Sequence, residues 1–114
     1  MADCLFCKIV SGDIPAKKVH EDAHTVAFED INPQAPTHVL LMSKEHIPSA
    51  ADLGEAHGAL LGRIFAVAAD LARQEGIAER GYRIVTNVGE WAGQSVRHLH
   101  FHLLGGRQMH WPPG

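Results

Sequence analysis

The sequence predicts an α+β fold, in which one long and one short helix pack on an antiparallel sheet of about five strands. The first observation is an amphipathic helical pattern from Gly54 to Glu75, which lies between two groups of strand-like segments. Strands grouped before and after a helix favour α+β over an alternating β-α-β order. The second observation is the regular alternation of histidine and apolar residues from His98 to Leu104, which is typical of a strand.

The chain begins with the pattern of a short helix. Asp3 is suited to cap it, because an Asp side chain can accept a hydrogen bond from the backbone of the first turn. Gly12 marks its end, since glycine adopts the left-handed conformation that often follows a helix. The apolar side chains of this helix are Phe6, Ile9 and Val10.

Two strands follow the short helix. Apolar residues alternate from His24 to Glu29, and this strand leads into a turn from Asp30 to Pro33. The segment from Thr37 to Ser43 is mostly apolar, so we expect it to be a central strand buried on both faces.

The long helix is predicted from apolar residues that recur every three or four positions, with Gly76 placed as its C-terminal cap. Its core-facing residues are Leu60, Leu61, Ile64, Phe65, Ala68, Leu71 and Ala72. Because Ala66, Val67 and Ala69 lie beside this stripe, the apolar surface is wider than a small sheet can cover. We therefore expect two copies of the chain to pair through this helix as a homodimer.

The last two strands are predicted from Tyr82 to Asn87 and from Val96 to Leu104, the second closing on Gly105 and Gly106. In the histidine-rich strand, successive side chains point to opposite faces, so the three imidazoles share one face and the apolar side chains the other.

Three histidines on one strand face suggest chemistry, because imidazole titrates near neutrality, ligates metals and acts as a nucleophile. A solvated strand face is the plain alternative, and a metal site is the sharper one. Same-face residues lie ~6.6–7 Å apart along a strand. Zinc holds nitrogen at ~2.0–2.1 Å, so two of the three could share one ion and at least one is left for another role.

Composition sets the remaining bounds. The 114 residues suit a single domain, 1–114, with a net charge of −3 and ten Lys and Arg that form no basic stripe. We therefore expect no nucleic-acid partner and no membrane anchor. The first residues lack the pattern of a signal peptide, and the only two cysteines are not the framework of a secreted domain. These features lead us to expect a soluble cytoplasmic protein.

Four segments of the chain resemble one known family. The run from His98 to Leu104 is similar to the signature of the histidine triad superfamily, in which three histidines alternate with apolar residues. Three further segments resemble its histidine triad nucleotide-binding branch, and they extend the resemblance over essentially the whole chain: Asp30 to His38, Ala92 to Arg97, and Gly105 to Gly114. The resemblance implies a dimeric α+β domain that binds purine nucleoside monophosphates. It also implies hydrolysis of nucleoside phosphoramidates, acyl-adenylates and related P–N or P–O bonds.

The resemblance also implies catalytic roles. His100 is expected to attack the α-phosphorus and to carry the nucleotidyl group, as an uncharged imidazole can. His102 and Ser95 are expected to hydrogen-bond the phosphate oxygens or the leaving group, and His38 to orient the nucleophile. Backbone amides from Gly93 to Ser95, a stretch that includes Gln94, are expected to hold the developing charge. This chemistry requires no metal.

The expected nucleoside site combines a carboxylate with an apolar slot. Asp30 suits the two ribose hydroxyls because an ionised carboxylate only accepts hydrogen bonds. Taken alone it fits a turn residue better, and the matching context favours the ribose. The slot around the base comprises Leu5, Phe6, Ile9, Phe28 and Ile31, each of which also fits an ordinary core. Asn87 is expected to contact ribose or phosphate, or else to form the turn before Gly89. Trp111 lies in a Pro-rich tail that, in the family, reaches toward the partner subunit's active site.

Cys4 and Cys7 depart from the branch members that carry no cysteine there. They resemble superfamily proteins in which such a pair joins two histidines in a structural zinc site, and the matching histidines here are His46 and His98. Two thiolates and two imidazoles form a closed tetrahedral set. The alternatives are two buried helix thiols or a redox pair.

Two other functions remain open beside the phosphoramidate hydrolase. One is a nucleotide-binding interaction module without catalysis, and the other is a dinucleoside polyphosphate hydrolase. The intact His100, His102, Ser95 and Asp30 favour the hydrolase over a pure binder, and the tail after Gly106 argues against the polyphosphate branch.

Overall fold

The computed structural model describes residues 3–114. Five strands form one antiparallel sheet in the order β1-β2-β3-β5-β4, with α1 and α2 packed on it. The elements are α1 (Leu5–Ser11), β1 (Lys18–Glu21), β2 (Thr25–Glu29), β3 (Thr37–Ser43), α2 (Gly58–Gln74), β4 (Tyr82–Val85) and β5 (His100–Gly105). The expected α+β class, with one long and one short helix on an antiparallel sheet, is confirmed.

The two faces of the sheet carry separate apolar cores. On one face, alternate residues of the central strands, such as Leu41 and Leu103, pack against Ile64 and Leu71 of α2. The other face is covered by α1, whose Phe6 packs with Leu40 and Met42 of β3. Because β2 and β3 supply residues to both cores, burial fixes their register, since a slip of one residue would exchange the faces.

The short helix begins one residue later than expected. Cys4, not Asp3, is its N-cap, and the Cys4 thiol accepts a hydrogen bond from the amide of Cys7 at 3.3 Å. Gly12 ends the helix as predicted, with a positive φ of 88°. The Asp3 assignment is therefore wrong. The helix starts one residue later, so the thiol of Cys4 and not the carboxylate of Asp3 accepts the hydrogen bond from the first turn.

Several strand boundaries also differ. β1 was not predicted from the sequence, because its exposed and half-buried residues show no clear alternation of apolar and polar side chains. β4 ends at Val85, two residues before Asn87. β5 begins at His100 instead of near Val96, because the preceding residues bend and the Leu99 amide donates to the carbonyl of Ile47 instead of a strand partner.

The core face of α2 is rotated relative to the expectation. The helix proper starts at Gly58, after a short 3-10 turn, and ends at Gln74. Val67 is buried, whereas Phe65, expected in the core, is 47% exposed. The buried residues are Ile64, Val67, Ala68, Leu71 and Ala72, a stripe with the spacing of a helix that lies flat on a sheet.

Neither helix within residues 3–114 is long and apolar enough to cross a membrane.

Candidate functional site

The three histidines of the alternating run lie on the face of the sheet that α1 covers. The Phe6 ring meets His98 and His100 edge to face, at centroid distances of 6.0 and 4.9 Å. His102 follows along the strand, with its ring centroid 5.1 Å from that of His100. His98 and His100 are buried and His102 is half-buried. The predicted shared face is confirmed.

His100 has a defined tautomer. Its Nδ1 lies 2.6 Å from the backbone carbonyl oxygen of His98. A carbonyl can only accept, so Nδ1 carries the proton and donates it. The neutral ring therefore keeps its lone pair on Nε2, which is the atom that a nucleophilic imidazole uses.

A second chain of hydrogen bonds fixes the tautomers of His38 and His102. The Gln34 amide donates to Nδ1 of His38 at 3.0 Å, so the proton of His38 lies on Nε2. Nε2 in turn donates to Nδ1 of His102 at 2.9 Å. The neutral His102 ring therefore carries its own proton on Nε2 and is a hydrogen-bond donor there.

The position of His38 corrects one expectation. The sequence resemblance implied that His38 orients the nucleophile His100, but its hydrogen bond goes to His102. The orientation of His100 comes instead from the His98 carbonyl. The reason is register: His38 stands opposite Leu104 on β5, two positions beyond His102, so its ring reaches the nearer histidine.

Asp30, His38 and His102 bring a carboxylate and two imidazoles within 4.8 Å of one another. Such a set can hold a metal, but the hydrogen bonds argue for a proton relay. Because the Gln34 amide occupies Nδ1 of His38, the ring would have to become an imidazolate to offer Nε2 to an ion. The Asp30 carboxylate, 3.4 Å from Nε2 of His38, instead faces a proton.

Asp30 follows β2 directly, and its side chain is mostly buried. One carboxylate oxygen accepts the amide of Asn32 at 2.8 Å, which is the turn role weighed in the sequence. The other oxygen faces His38. Asp30 therefore serves the turn and lies at the end of the histidine relay.

The loop from Gly89 to Val96 is closed on itself. The Gln94 side chain donates to the carbonyls of Pro48 and Val96 and accepts from the amide of Gly89. The amides of Gly93 and Gln94 are also bonded within the loop, to Glu90 and Gly89. Ser95, the third expected phosphate-binding residue of this loop, is exposed. Gln94 acts here by holding the loop.

The expected apolar slot divides into two kinds of residue. Phe6, Ile9 and Phe28 are buried within one core cluster. Leu5 is 44% exposed and Ile31 is 99% exposed, so these two side chains are open to a ligand. The buried three belong to the core under α1.

Two further predicted residues lie at the edge of the site. Asn87 is half-buried in the loop after β4. Trp111 is 82% exposed, and the guanidinium of Arg83 lies 6.0 Å from its ring centroid while donating to the carbonyl of His110 at 2.9 Å. Arg83 thus fixes the tail against β4.

Cys4, Cys7, His46 and His98 come together as the sequence resemblance implied, with one ligand atom from each within 4.8 Å of the others. Nδ1 of His98 lies 3.4 Å from the Cys4 sulfur and 3.6 Å from the Cys7 sulfur. Nδ1 of His46 lies 3.3 Å from the Cys7 sulfur.

These distances suit a tetrahedral metal site. With Zn–S of ~2.3 Å and Zn–N of ~2.0–2.1 Å, tetrahedral angles place sulfur and nitrogen about 3.5–3.6 Å apart. Nε2 of His98 lies 2.7 Å from the carbonyl of Ser43, so that nitrogen carries the proton and Nδ1 offers its lone pair to the cluster. The donor set and its spacing therefore fit zinc.

Burial keeps the histidines of the site neutral. Desolvation lowers the pKa of His38, His98 and His100 below the usual value of 6.5. It lowers the pKa of His102 further, to about 4, with the neighbouring rings of His100 and His38 adding to the effect. At neutral pH, Nε2 of His100 is therefore unprotonated and keeps its lone pair.

Some functional groups had no signal in the sequence. The acceptors and donors that set the tautomers are backbone atoms of Ser43, His98 and Gln34. Backbone groups are present at every position, so residue types alone do not mark them. Arg83 was likewise missed, because an arginine on an edge strand is ordinary.

Comparison with known proteins adds independent findings. A family model described as the HIT domain matches residues 11–109. The chain is 47% identical over 107 residues to a purine nucleoside phosphoramidase of Escherichia coli K12, covering 94% of this chain and 90% of that protein. It is 50% identical over 112 residues to a 14 kDa zinc-binding protein of Zea mays, covering 96% and 87%.

Solved structures show the same fold. A HIT family hydrolase from Legionella pneumophila Philadelphia 1 superposes with a TM-score of 0.96 at 54% identity, covering 98% of this chain and all of the other. A histidine triad protein from Clostridium difficile superposes with a TM-score of 0.92 at 39% identity, covering 96% of each chain.

We expect the chain to lose stability as the pH falls from about 6.5 toward 4. The pKa of His102 is lower in the folded chain, about 4, than in the unfolded chain, so the unfolded state binds more protons in this window. Each extra proton steepens the fall by about 1.4 kcal/mol per pH unit. Urea unfolding at several pH values measures the slope. His102→Gln should flatten it, whereas His24→Gln, in an exposed turn, should not; equal slopes for His102→Gln and the natural chain would contradict the assignment.

Proposed function

The chain belongs to the HIT domain family, and from that premise we propose that it hydrolyses purine nucleoside phosphoramidates and acyl-nucleotidylates through a nucleotidyl-histidine intermediate. The phosphoramidase relative covers nearly the whole chain and supports this substrate class. The single observation that carries the proposal is the hydrogen bond from Nδ1 of His100 to the His98 carbonyl, because it directs the lone pair of a buried, neutral imidazole outward on Nε2.

The reaction has two steps. In the first, Nε2 of His100 attacks the α-phosphorus of a substrate protonated on its bridging nitrogen, and the P–N bond breaks to release a neutral amine. In the second, water attacks phosphorus, the electron pair of the N–P bond returns to Nε2, and the water proton leaves to solvent. An imidazole suits both steps because it is a good nucleophile and a good leaving group.

His102 and Ser95 stabilise the phosphoryl oxygens during both steps. His102 presents an Nε2–H because His38 donates to its other nitrogen. Donors that are already oriented before the reaction stabilise developing charge without reorganisation. His38 is thus a positioning residue for His102, and the Asp30 carboxylate faces its proton.

The nucleoside binds beside the histidines, with its ribose at Asp30 and its base against Leu5 and Ile31. The position of Asp30 at the end of β2, next to His38, supports this placement. The exposure of Leu5 and Ile31 leaves apolar surface for a flat base. Stacking on such a surface suits adenine and guanine alike.

We also propose that Cys4, Cys7, His46 and His98 bind one structural zinc ion. The sulfur–nitrogen distances of 3.3–3.6 Å and the name of the maize relative support this assignment. A site with four protein ligands has no open position for substrate, so the ion holds α1 to the segment that precedes β5.

The active form is a homodimer that pairs through β4 and α2. β4 is an edge strand, and an unpaired edge offers its backbone groups to another strand. Phe65 of α2 is 47% exposed and packs edge to face on Phe101 of β5, the strand next to β4. A two-fold partner at this edge pairs the strands and covers Phe65.

His100→Ala should abolish hydrolysis of adenosine 5′-phosphoramidate, while binding of AMP is retained. Loss of a nucleophile lowers kcat by about 10⁴- to 10⁶-fold, but Asp30 and the apolar surface still hold the nucleoside. Steady-state kinetics and calorimetric titration with AMP measure the two effects, with His24→Ala as the control. Undiminished turnover would refute the proposal; a natural chain that binds AMP but hydrolyses nothing would favour the interaction module.

Asp30→Ala should weaken binding of AMP far more than binding of its 2′,3′-dideoxy analogue. One charge-assisted hydrogen bond contributes roughly 1.5–3 kcal/mol, so an affinity loss of about ten-fold or more is expected. Asp30→Asn keeps the acceptor for the Asn32 amide and serves as the matched variant. Equal losses for both ligands would mean that Asp30 acts on the fold alone.

Protein purified without chelator should contain about one zinc ion per chain. Removing the metal, or replacing Cys4 and Cys7 together by serine, should lower the Tm, because closing the site is coupled to docking of α1. Elemental analysis and thermal unfolding are the measurements, and hydrolysis should survive in part. Metal-free protein with an unchanged Tm would exclude a structural ion.

Phe65→Glu should convert the dimer to a monomer, because burying a carboxylate at a two-fold apolar contact places two like charges together. Light scattering at micromolar concentration measures the mass. Gln74→Glu, on the exposed end of the same helix, is the control and should leave the mass unchanged. A natural chain that is already monomeric would end the dimer proposal.

A further inference from the structure

His98 is the residue through which the Cys/His cluster and the nucleophile meet. Its ring is fully buried and held from two sides: Nε2 donates to the Ser43 carbonyl at 2.7 Å, and Nδ1 faces the sulfurs of Cys4 and Cys7. Its backbone carbonyl accepts the proton of His100 at 2.6 Å. One residue therefore belongs to the cluster by its side chain and to the active site by its main chain.

The position of the His98 carbonyl is not set by the sheet. β5 begins at His100, and residues 96–98 bend without strand pairing. The backbone is held nearby by the Leu99 amide, which donates to the carbonyl of Ile47. The His98 carbonyl and the Leu99 amide belong to one planar peptide group, so the hydrogen bond to Ile47 orients this carbonyl. Ile47 directly follows the cluster residue His46, so both this peptide group and the His98 ring are held next to the cluster.

A second link runs through α1. Cys4 and Cys7 flank Phe6, whose ring meets both His98 and His100 edge to face. One metal ion held by Cys4, Cys7, His46 and His98 would fix the N-terminal turn of α1. The ring of Phe6 would then be held against His100. The cluster therefore fixes the position of two groups that contact His100: the His98 carbonyl, which accepts its proton, and the Phe6 ring, which packs on it.

We propose that the metal state of the Cys4–Cys7–His46–His98 cluster controls the tautomer and orientation of His100, with His98 as the positioning residue. The inference rests on the proposed role of His100 as nucleophile and on the fit of the cluster to zinc. With the cluster closed, His100 keeps its proton on Nδ1 and its lone pair on Nε2. With the cluster open, the His98 carbonyl moves and both tautomers are populated.

If the ion has only a structural role, a different result is expected for the tautomer of His100. If the cluster only fastens α1 to the sheet, its loss lowers the Tm but leaves the proton of His100 on Nδ1. The two views are therefore separated by the ring nitrogens of His100 and not by stability.

The experiment is ¹⁵N NMR of histidine-labelled protein at neutral pH, which reports the nitrogen that carries the proton. The natural chain is measured zinc-loaded and after chelation, beside Cys4→Ser/Cys7→Ser, in which serine keeps a good N-cap for α1. Ile14→Ala is the control, since Ile14 packs on the same core and supplies no ligand atom to the cluster. His100→Gln assigns the resonance.

We expect Nδ1–H alone in the zinc-loaded chain and in Ile14→Ala, and mixed tautomers in both metal-free samples. In parallel, kcat should fall by about 100-fold, as for a misplaced reacting group, while the Kd for AMP changes little. A folded metal-free chain whose His100 remains Nδ1–H overturns the inference. If neither metal-free sample folds, His46→Gln, which removes a ligand outside α1 and β5, provides the same comparison.

The outcomes also separate this inference from the proposed function. A metal-dependent tautomer in a chain that hydrolyses no phosphoramidate supports the coupling and refutes the hydrolase. Hydrolysis that proceeds with a tautomer independent of metal refutes the coupling and supports the hydrolase.

Discussion

The site depends on one constraint: three imidazoles are locked into a tautomer by a backbone group that can only accept or only donate, and a fourth, His102, is fixed through one of them. The carbonyls of His98 and Ser43 accept, so His100 and His98 carry their protons on the nitrogens that face them. The Gln34 amide donates, so His38 carries its proton on the opposite nitrogen. Chemically identical side chains thereby differ in which nitrogen donates and which accepts. Burial strengthens the arrangement, because desolvation lowers the pKa of His38, His98, His100 and His102, and a neutral ring can act as both donor and acceptor.

The architecture of the sheet explains why these groups meet. β3 and β5 lie side by side, and alternation sends residues such as Leu41 and Leu103 to α2. The histidines share the opposite face, under α1, with Leu40 and Met42. The large core therefore lies behind the chemistry and makes the strand backbone rigid. α1 contributes little core of its own, so its docking onto the histidine face relies on Phe6, Ile9 and the two cysteines.

Patterns of residue type predicted most of the fold. The alternation from His98 to Leu104 correctly indicated the shared histidine face, and the long helix was found between the right strands. The N-cap at Cys4, the start of β5 at His100 and the buried position of Val67 were missed, because each depends on tertiary contacts that competing local patterns do not reveal. The Cys/His cluster was found through resemblance and not through spacing, since His46 and His98 are far apart in the chain. The relay from Gln34 to His102 could not be predicted, because it begins at a backbone amide.

The closed loop around Gln94 bears on how fast a phosphate-bearing ligand can associate with the chain. A flexible glycine-containing segment normally loses conformational entropy when it wraps a phosphate, and that loss weakens binding. Here, three hydrogen bonds from one side-chain amide already hold the segment between Gly89 and Val96 in a single shape. The ordering occurs during folding, so a phosphate bound beside Ser95, as proposed, would meet a loop that is already ordered. Encounter can then be limited by diffusion and orientation and not by loop closure.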